Sequence, residues 1–316
     1  MTHRPVVKPR IKWLAALLVL VALPYYWLLL DNRAGGAPPR ALDIARMRQL
    51  AEAVPGPKPN TIAVQMVGWR RVPGTIMAAG IGLKRVLVGM YAIRLRGPSG
   101  DVLIDSGLGP ADAERLQMER FVPRDQARVD AALRTARVIV LTHEHPDHLN
   151  GLLRLPEFSR VAGRALLLPE QRPDGPVARA APWPAGSRAA LPRFDYKGMT
   201  AIAPGVVLIR TPGHTPGAQM VFVRLAGGRE VLLAGDTATL TRSWREVRAR
   251  SRLLSDFLAR EDRSAVFGWL KALRALHRTA PEVFIVPGHD FEYVEDHAPA
   301  DVFRFRFGEP ALDAGE

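Results

Sequence analysis

The sequence predicts an α/β domain built on buried strands, and three observations carry that reading. Val138-Ile139-Val140-Leu141, Val206-Val207-Leu208-Ile209, Val231-Leu232-Leu233-Ala234 and Val283-Phe284-Ile285-Val286 are continuous apolar runs, the pattern of strands covered on both faces. Each run is followed closely by histidine or aspartate: His143-Glu144-His145-Pro146-Asp147-His148, His214, Asp236 and His289. Helical patterns stand before the first run and between the last two. Polar residues gathered beyond the carboxyl ends of buried strands mark where open α/β sheets place their sites.

With 316 residues the chain has length for a sizeable core, and one large domain is favoured over two. Cysteine is absent, which excludes a disulfide framework, a thiolate metal site and a cysteine nucleophile. The formal charge is +13, but Arg4, Lys8, Arg10 and Lys12 precede an apolar block, and about +9 remains without them. That excess forms neither a polybasic tract nor an aromatic-interleaved patch, so no nucleic-acid partner is expected.

Residues 13–30 carry no charge and end in Tyr25-Tyr26-Trp27 and three leucines, which suits a membrane-spanning helix with an aromatic interface. Positive charge before the span and little after it places the N-terminus in the cytoplasm and the body on the periplasmic or extracellular side. The alternative is a cleaved signal peptide and a secreted body. The organisation expected is therefore residues 1–33 as basic segment and anchor or signal, 34–60 as a linker with a short helix, and 61–316 as the functional domain. Because every candidate site residue lies downstream, residues 1–33 are expected to be dispensable for the body.

A short helix is expected over 41–54, ended by Pro55, Pro57 and Pro59. Strands follow over 61–67, 86–95 and 101–105, separated by Gly-Trp, Pro-Gly and Gly-Pro-Ser-Gly turn signals. Asp105 closes the third and reads as a holder of the neighbouring loop by hydrogen bonds. A helix over 129–136 and a strand over 166–168 come next. The Pro-, Gly- and Arg-rich stretch 169–197 reads equally as a lid or as an irregular excursion. Two helices precede the last strand: Ser243 would cap the first, with Trp244, Val247, Leu254 and Phe257 or Leu258 on one face. Ser264 would cap the second, with Val266, Leu270, Leu273 and Leu276. Their arginines read as a solvated face, with Arg242 and Arg245 kept open as substrate contacts because they follow Asp236 closely.

On an extended segment His143, His145 and Asp147 share one side and His148 turns to the other, so one loop offers ligands to two adjacent metal ions. His214 and His289 complete the two sets, and the Asp236 carboxylate has the reach to bridge them. Ions about 3.5–4 Å apart activate a shared water, which gives hydrolysis without a protein nucleophile. His3, His277 and His297 read as surface or satisfied core residues. A serine triad has no Gly-x-Ser-x-Gly elbow to present it.

His143-x-His145-x-Asp147-His148 followed by His214, Asp236 and His289 resembles the metallo-β-lactamase superfamily over roughly residues 61–291. The resemblance implies an αββα four-layer sandwich of two mixed sheets, with the site along one edge. It implies one metal on His143, His145 and His214, a second on Asp147, His148 and His289, and Asp236 between them. The implied function is metal-dependent hydrolysis of an ester, lactone or thioester by a hydroxide bridging two divalent ions, zinc first and iron or manganese as substitutes. Asp147 would be the catalytic proton carrier and a small molecule the substrate.

The chain departs from particular branches. It has no cysteine for the thiolate-using β-lactamases, and His145 stands where flavodiiron proteins have a carboxylate. Glyoxalase II resembles it in Thr-Pro-Gly-His-Thr-Pro-Gly and Gly-Asp-Thr, but the 27 residues after His289 are too few for that family's C-terminal helical domain. Acyl-homoserine lactonases resemble it in Thr-Pro-Gly-His-Thr-Pro-Gly, in the helix preceding the last strand and in Gly288-His289-Asp290, with Thr239 in place of their tyrosine. Mononuclear iron members such as persulfide dioxygenases, nucleases or phosphodiesterases of this fold, and a non-catalytic module that kept the fold are the alternatives.

Overall fold

The computed structural model describes residues 9–33 and 35–308. Arg4, Lys8 and His3 of the basic segment, and Ala34, lie outside them. Among the described residues eleven strands form two mixed sheets: β1 Thr61–Pro73, β2 Arg85–Arg96, β3 Val102–Ile104, β4 Arg120–Phe121, β5 Val138–Val140, β6 Met199–Ala203, β7 Val206–Arg210, β8 Gln219–Arg224, β9 Glu230–Gly235, β10 Phe284–Pro287 and β11 Phe303–Arg304. The first sheet runs β11-β1-β2-β3-β5 with β4 beside β1, and the second runs β10-β9-β8-β7-β6. Pairing is antiparallel except for β1 with β11, β3 with β5, and β9 with β10.

Side-chain parity builds the layers. Val206, Leu208, Val221, Val223, Val231 and Leu233 face a central core shared with Ile62, Val64, Ile93 and Ile104 of the first sheet. Their alternates Val207, Ile209, Met220, Phe222 and Leu232 face outward onto the helix Arg263–Thr279 and onto Met47 and Ala51 of the helix Ile44–Ala51. On the other side Ala92, Leu103 and Ile139 meet the helices Pro123–Thr135, Pro146–Leu153 and Phe158–Ala162. A strand buried on both faces has no reason to alternate, which is why the four apolar runs read as continuous. The result is the αββα sandwich expected.

Several local expectations are corrected. Asp147 and His148 lie in the first turn of the helix Pro146–Leu153, because Pro146 sits at the one position where a helix tolerates a missing amide. Leu166–Leu168 is not a strand: pairing stops at an isolated Ala165–Ile139 bridge, made by the Ile139 amide on the Arg164 carbonyl and the Leu166 amide on the Ile139 carbonyl. Asp262, not Ser264, caps the long helix, accepting from the Ala265 amide at 3.0 Å. The helix expected after Ser243 breaks into Thr241–Arg245 and a π-helical turn Leu253–Leu258, leaving Phe257 and Leu258 exposed. Stretch 169–197 holds two 3₁₀ turns and the short helix Ser187–Ala190.

The apolar block is helical over Pro9–Tyr25 and continues into a π-helical turn, Tyr26–Leu30. Pro24 has no amide to give the preceding turn, and such a gap favours irregular winding nearby. Lys12–Leu30 is the one described helix long and apolar enough to cross a membrane, and none of it is buried in the body. Its end is tied down. Thr75 Oγ1 and the Gly80 amide donate to the Leu29 carbonyl, and Asn32 pairs with the Val247 carbonyl and the Ala249 amide. Buried Asp31 accepts from Arg33 and Arg252. Residues 29–32 are therefore built into the body, and the expectation that all of 1–33 is dispensable overlooks these bonds.

Chiefly through Arg33, against burial and with help from Arg252, the Asp31 carboxyl is lowered from 3.8 to about 2. A depressed acid stabilises the fold above its unfolded value and loses that contribution as pH falls through the folded one. Asp31→Asn should therefore melt below the parent at neutral pH by the equivalent of about 1 kcal/mol, screening included. The gap should close as pH falls from about 4 toward 2, and paired melts across that range check it. Deletion through Arg33 should lower the melting temperature of the body relative to deletion through Tyr26, which calorimetry of the two truncations measures.

Candidate metal centre

The site forms where β5, β7, β9 and β10 end. Asp105, just past β3, adopts a left-handed backbone with φ 62°, a conformation that an aspartate tolerates when its side chain bonds locally. Its Oδ1 accepts from the Thr142 amide at 2.7 Å, and its Oδ2 lies 2.9 Å from His148 Nδ1. With Nδ1–H donated there, His148 Nε2 turns inward as a buried atom with no hydrogen-bond partner. The structural role expected of Asp105 is the one it has. Glu144 plays a matching part that the sequence did not signal: it accepts from Thr215 Oγ1 at 2.7 Å and the Gly217 amide at 3.1 Å, fixing the loop that carries His214.

Two further histidines are oriented from behind. His214 Nδ1 lies 3.0 Å from Glu261 Oε2, and His289 Nδ1 lies 2.8 Å from the Gly89 carbonyl. Their Nε2 atoms point inward. His145 Nδ1 is 3.0 Å from both His143 Nε2 and His214 Nε2. Protons serve three converging ring nitrogens poorly, since one hydrogen on His145 Nδ1 cannot point at both neighbours at full strength. A shared Lewis acid satisfies all three.

The donors fall into two groups, His143, His145, His214 and Asp236, and Asp147, His148 and His289; within each, the ligating atoms lie within 4.8 Å of one another. Asp236 faces both. Its Oδ2 is 3.5 Å from His214 Nε2 and 3.8 Å from His143 Nε2, its Oδ1 is 3.8 Å from His148 Nε2, and His289 Nε2 is 3.0 Å from both oxygens. Asp147 Oδ2 lies 3.5 Å and 3.6 Å from the Nε2 atoms of His148 and His289. All seven residues singled out in the sequence thus meet at one place. His277 instead packs its ring on Trp244, and His297 is exposed.

Glycine permits the approach. A Cβ on Gly288 would stand 2.2 Å from Asp236 Oδ1 and 2.8 Å from the Gly235 carbonyl oxygen, so only glycine lets β10 lie this close to the end of β9.

Electrostatics divide the site. Burial pushes His143 and His214 well below their ordinary value and His145 to about 4, leaving neutral imidazoles with lone pairs to give. Burial acts the same way on His148 and His289 but is outweighed by Asp105 and Asp147 for the first and by Asp236 for the second. Burial also raises Glu261 to about 7, against the pull of Arg250 and Arg263.

Arg250, like Glu144 and Glu261, is a residue that sequence reasoning missed. Its Nη2 donates to Asp236 Oδ2 at 2.6 Å and its Nε to Thr239 Oγ1 at 2.9 Å, both buried. Arg242 instead pairs with Glu246, and Arg245 lies over Trp244 and Tyr293, so neither contacts the site. Arg250 was hidden among arginines at 242, 245, 248, 250 and 252, and only the break of the expected helix turns it inward.

Above the donors lies a cavity of about 320 Å³, with His145, Asp147, Asp236, His289 and Arg250 at its floor and Met77, Val88, Met90, Leu116, Leu254 and Leu258 among its walls. Asp105→Asn keeps the left-handed backbone and removes the charged acceptor behind His148. It should weaken metal binding about 10–100-fold, measurable by competition with a chromophoric chelator.

The Metallo-beta-lactamase superfamily model matches residues 86–289 of the chain. Two curated relatives, each named a probable metallo-hydrolase, come from Mycobacterium tuberculosis and Mycobacterium bovis. Each is 31% identical over 253 residues, covering 69% of this chain and 78% of the relative. A quorum-quenching N-acyl homoserine lactone lactonase superposes with a TM-score of 0.58 at 17% identity, over 78% of this chain and 98% of its own. An N-acyl homoserine lactone hydrolase with N-hexanoyl-L-homoserine at its catalytic metal centre gives 0.57 at 18% identity, over 77% and 98%. At these identities the structural likenesses speak for the fold.

Proposed function

We propose, from the premise that this chain belongs to the metallo-β-lactamase superfamily, that it is a metal-dependent hydrolase that holds two divalent ions and cleaves an ester, lactone or thioester. The observation that carries the reading is the double-facing Asp236 carboxylate between two groups of inward ring nitrogens. His143, His145 and His214 would hold one ion, Asp147, His148 and His289 the other, and Asp236 both. Zinc suits nitrogen and carboxylate donors without thiolate, and iron or manganese would fit the same set. Bound there, the ions would supply a bridging hydroxide at neutral pH and polarise the scissile carbonyl.

The protein's own groups account for the rest. Arg250 holds Asp236 in one rotamer and adds a fixed positive charge beside the floor of the cavity. Asp147 stands at the cavity floor, where its carboxylate is placed to take up a proton and return it to the leaving group. The walls are mostly apolar, with Arg70 among them. Thr239 offers only a hydroxyl, already held by Arg250, where lactonases resembling this chain have a tyrosine. The two lactonase structures support an acyl substrate as the first class to test. The segment Lys12–Leu30 supports a membrane-anchored protein, and Arg4, Lys8 and Arg10 before it with Lys12 at its start favour a body on the periplasmic or extracellular side.

Purified protein should carry close to two ions per chain by elemental analysis; fully loaded protein with one ion would return the mononuclear alternative. Asp236→Ala should lose far more activity on a panel of esters, lactones and thioesters than Thr239→Ala, since only the first removes a donor common to both groups. Asp147→Asn keeps one ligating oxygen and the side-chain size but carries no proton. Its turnover should fall by about 10²-fold or more, and the loss should grow with the basicity of the leaving group. A loss independent of the leaving group would leave Asp147 a ligand only.

A further inference from the structure

Outside the apolar helix, the strongly exposed large hydrophobic side chains among the described residues are Leu83, Phe257 and Leu258, at 59%, 56% and 71%. They lie on the two segments that grip the helix end. The turn carrying Leu83 follows Gly80, whose amide bonds the Leu29 carbonyl, and Phe257 meets the Trp27 ring edge-on with centroids 6.0 Å apart. Arg252 lies over the other part of this junction, 5.6 Å from the Trp27 ring centre and bonded to Asp31. Leu258, next to Phe257, lines the catalytic cavity together with Met77, which ends the short helix begun by Gly74 and Thr75. Thr75 in turn bonds Leu29. The mouth of the cavity, the exposed apolar rim and the end of the apolar helix are therefore parts of one bonded unit.

We infer that the cavity opens at the bilayer surface, with Leu83, Phe257 and Leu258 dipping into it, and that it takes the acyl chain of an ester or thioester dissolved in the membrane. A soluble body gains nothing by leaving three large apolar side chains in water beside a tryptophan at the end of a span. Set at the headgroup level, each is removed from water, and an acyl chain leaving the bilayer passes along Leu258 to Met77 and Met90 without crossing water. The rigid tie through Asp31 and Asn32 fixes the height of the mouth above the membrane. The acyl-substrate part rests on the hydrolase reading above; the position of the mouth does not.

The absence of cysteine allows the position to be read directly. Single Phe257→Cys and Leu83→Cys variants of the full chain, labelled with an environment-sensitive fluorophore, are compared with Ala226→Cys on the β8–β9 turn at the opposite end of the sheets. In proteoliposomes the labels at 257 and 83 should shift to the blue and be quenched by spin-labelled lipid, and the label at 226 should not. Equal solvent exposure at all three positions, or shielding at 257 and 83 in detergent-free buffer without lipid, overturns the inference. In parallel, Phe257→Ser combined with Leu83→Ser should lower hydrolysis of a long-chain acyl ester carried in vesicles by about tenfold or more, with metal content and hydrolysis of a short-chain, water-soluble ester unchanged. Equal rates on the vesicle substrate for variant and parent overturn the acyl-chain route. Parent protein that is metal-loaded yet hydrolyses neither substrate removes the hydrolase reading, which the fluorophores distinguish from a mouth that faces water.

Discussion

The whole arrangement depends on holding inward-facing ring nitrogens of five histidines close together. Imidazole has two nitrogens, and left alone each ring would turn to satisfy both. The fold prevents this by placing a buried acceptor behind His148, His214 and His289: Asp105, Glu261 and the Gly89 carbonyl. Each acceptor comes from an element distant in sequence from the histidine it orients. The two-sheet sandwich is what brings those elements to the same edge.

The strand-end donors were legible because continuous apolar runs and the residues that follow them are local in sequence. Thr142 through His148, or Pro287 through Asp290, carry their meaning within a few positions. Asp105 was legible as a support for the same reason, since it closes an apolar strand. Glu261 and Arg250 were not, because their partners His214 and Asp236 lie 47 and 14 residues away and no period links them. The helix expected around Val247 to Phe257 misled most. Its apolar spacing is real, but Val247 takes a positive φ of 55° and the chain unwinds there. Apolar spacing reports which residues prefer to leave water; it does not distinguish a protein core from a lipid surface.

That unwound segment joins three parts of the molecule. Arg250 reaches the floor of the cavity, Arg252 reaches Asp31, and Arg263 donates to the carbonyls of both Arg250 and Asp31. Main-chain groups held by charged donors at both ends have little freedom to drift. The end of the apolar helix and the carboxylate between the two donor groups are thus linked through one short stretch of chain.

The order of the strands along the chain also sets the order in which the centre becomes complete. β10 is laid parallel against β9 in register from Phe284 opposite Val231, after a connection that includes the 17-residue helix Arg263–Thr279. As the chain leaves the ribosome, His143, His145, His214 and Asp236 have all emerged before that helix, whereas His289 emerges after it. The first donor group therefore has its full complement in the chain before the second, and β10 both forms the edge of its sheet and leads to the nitrogen that the second group lacks. A chain cut before β10 would keep the first donor group whole and leave the second without one of its three donors.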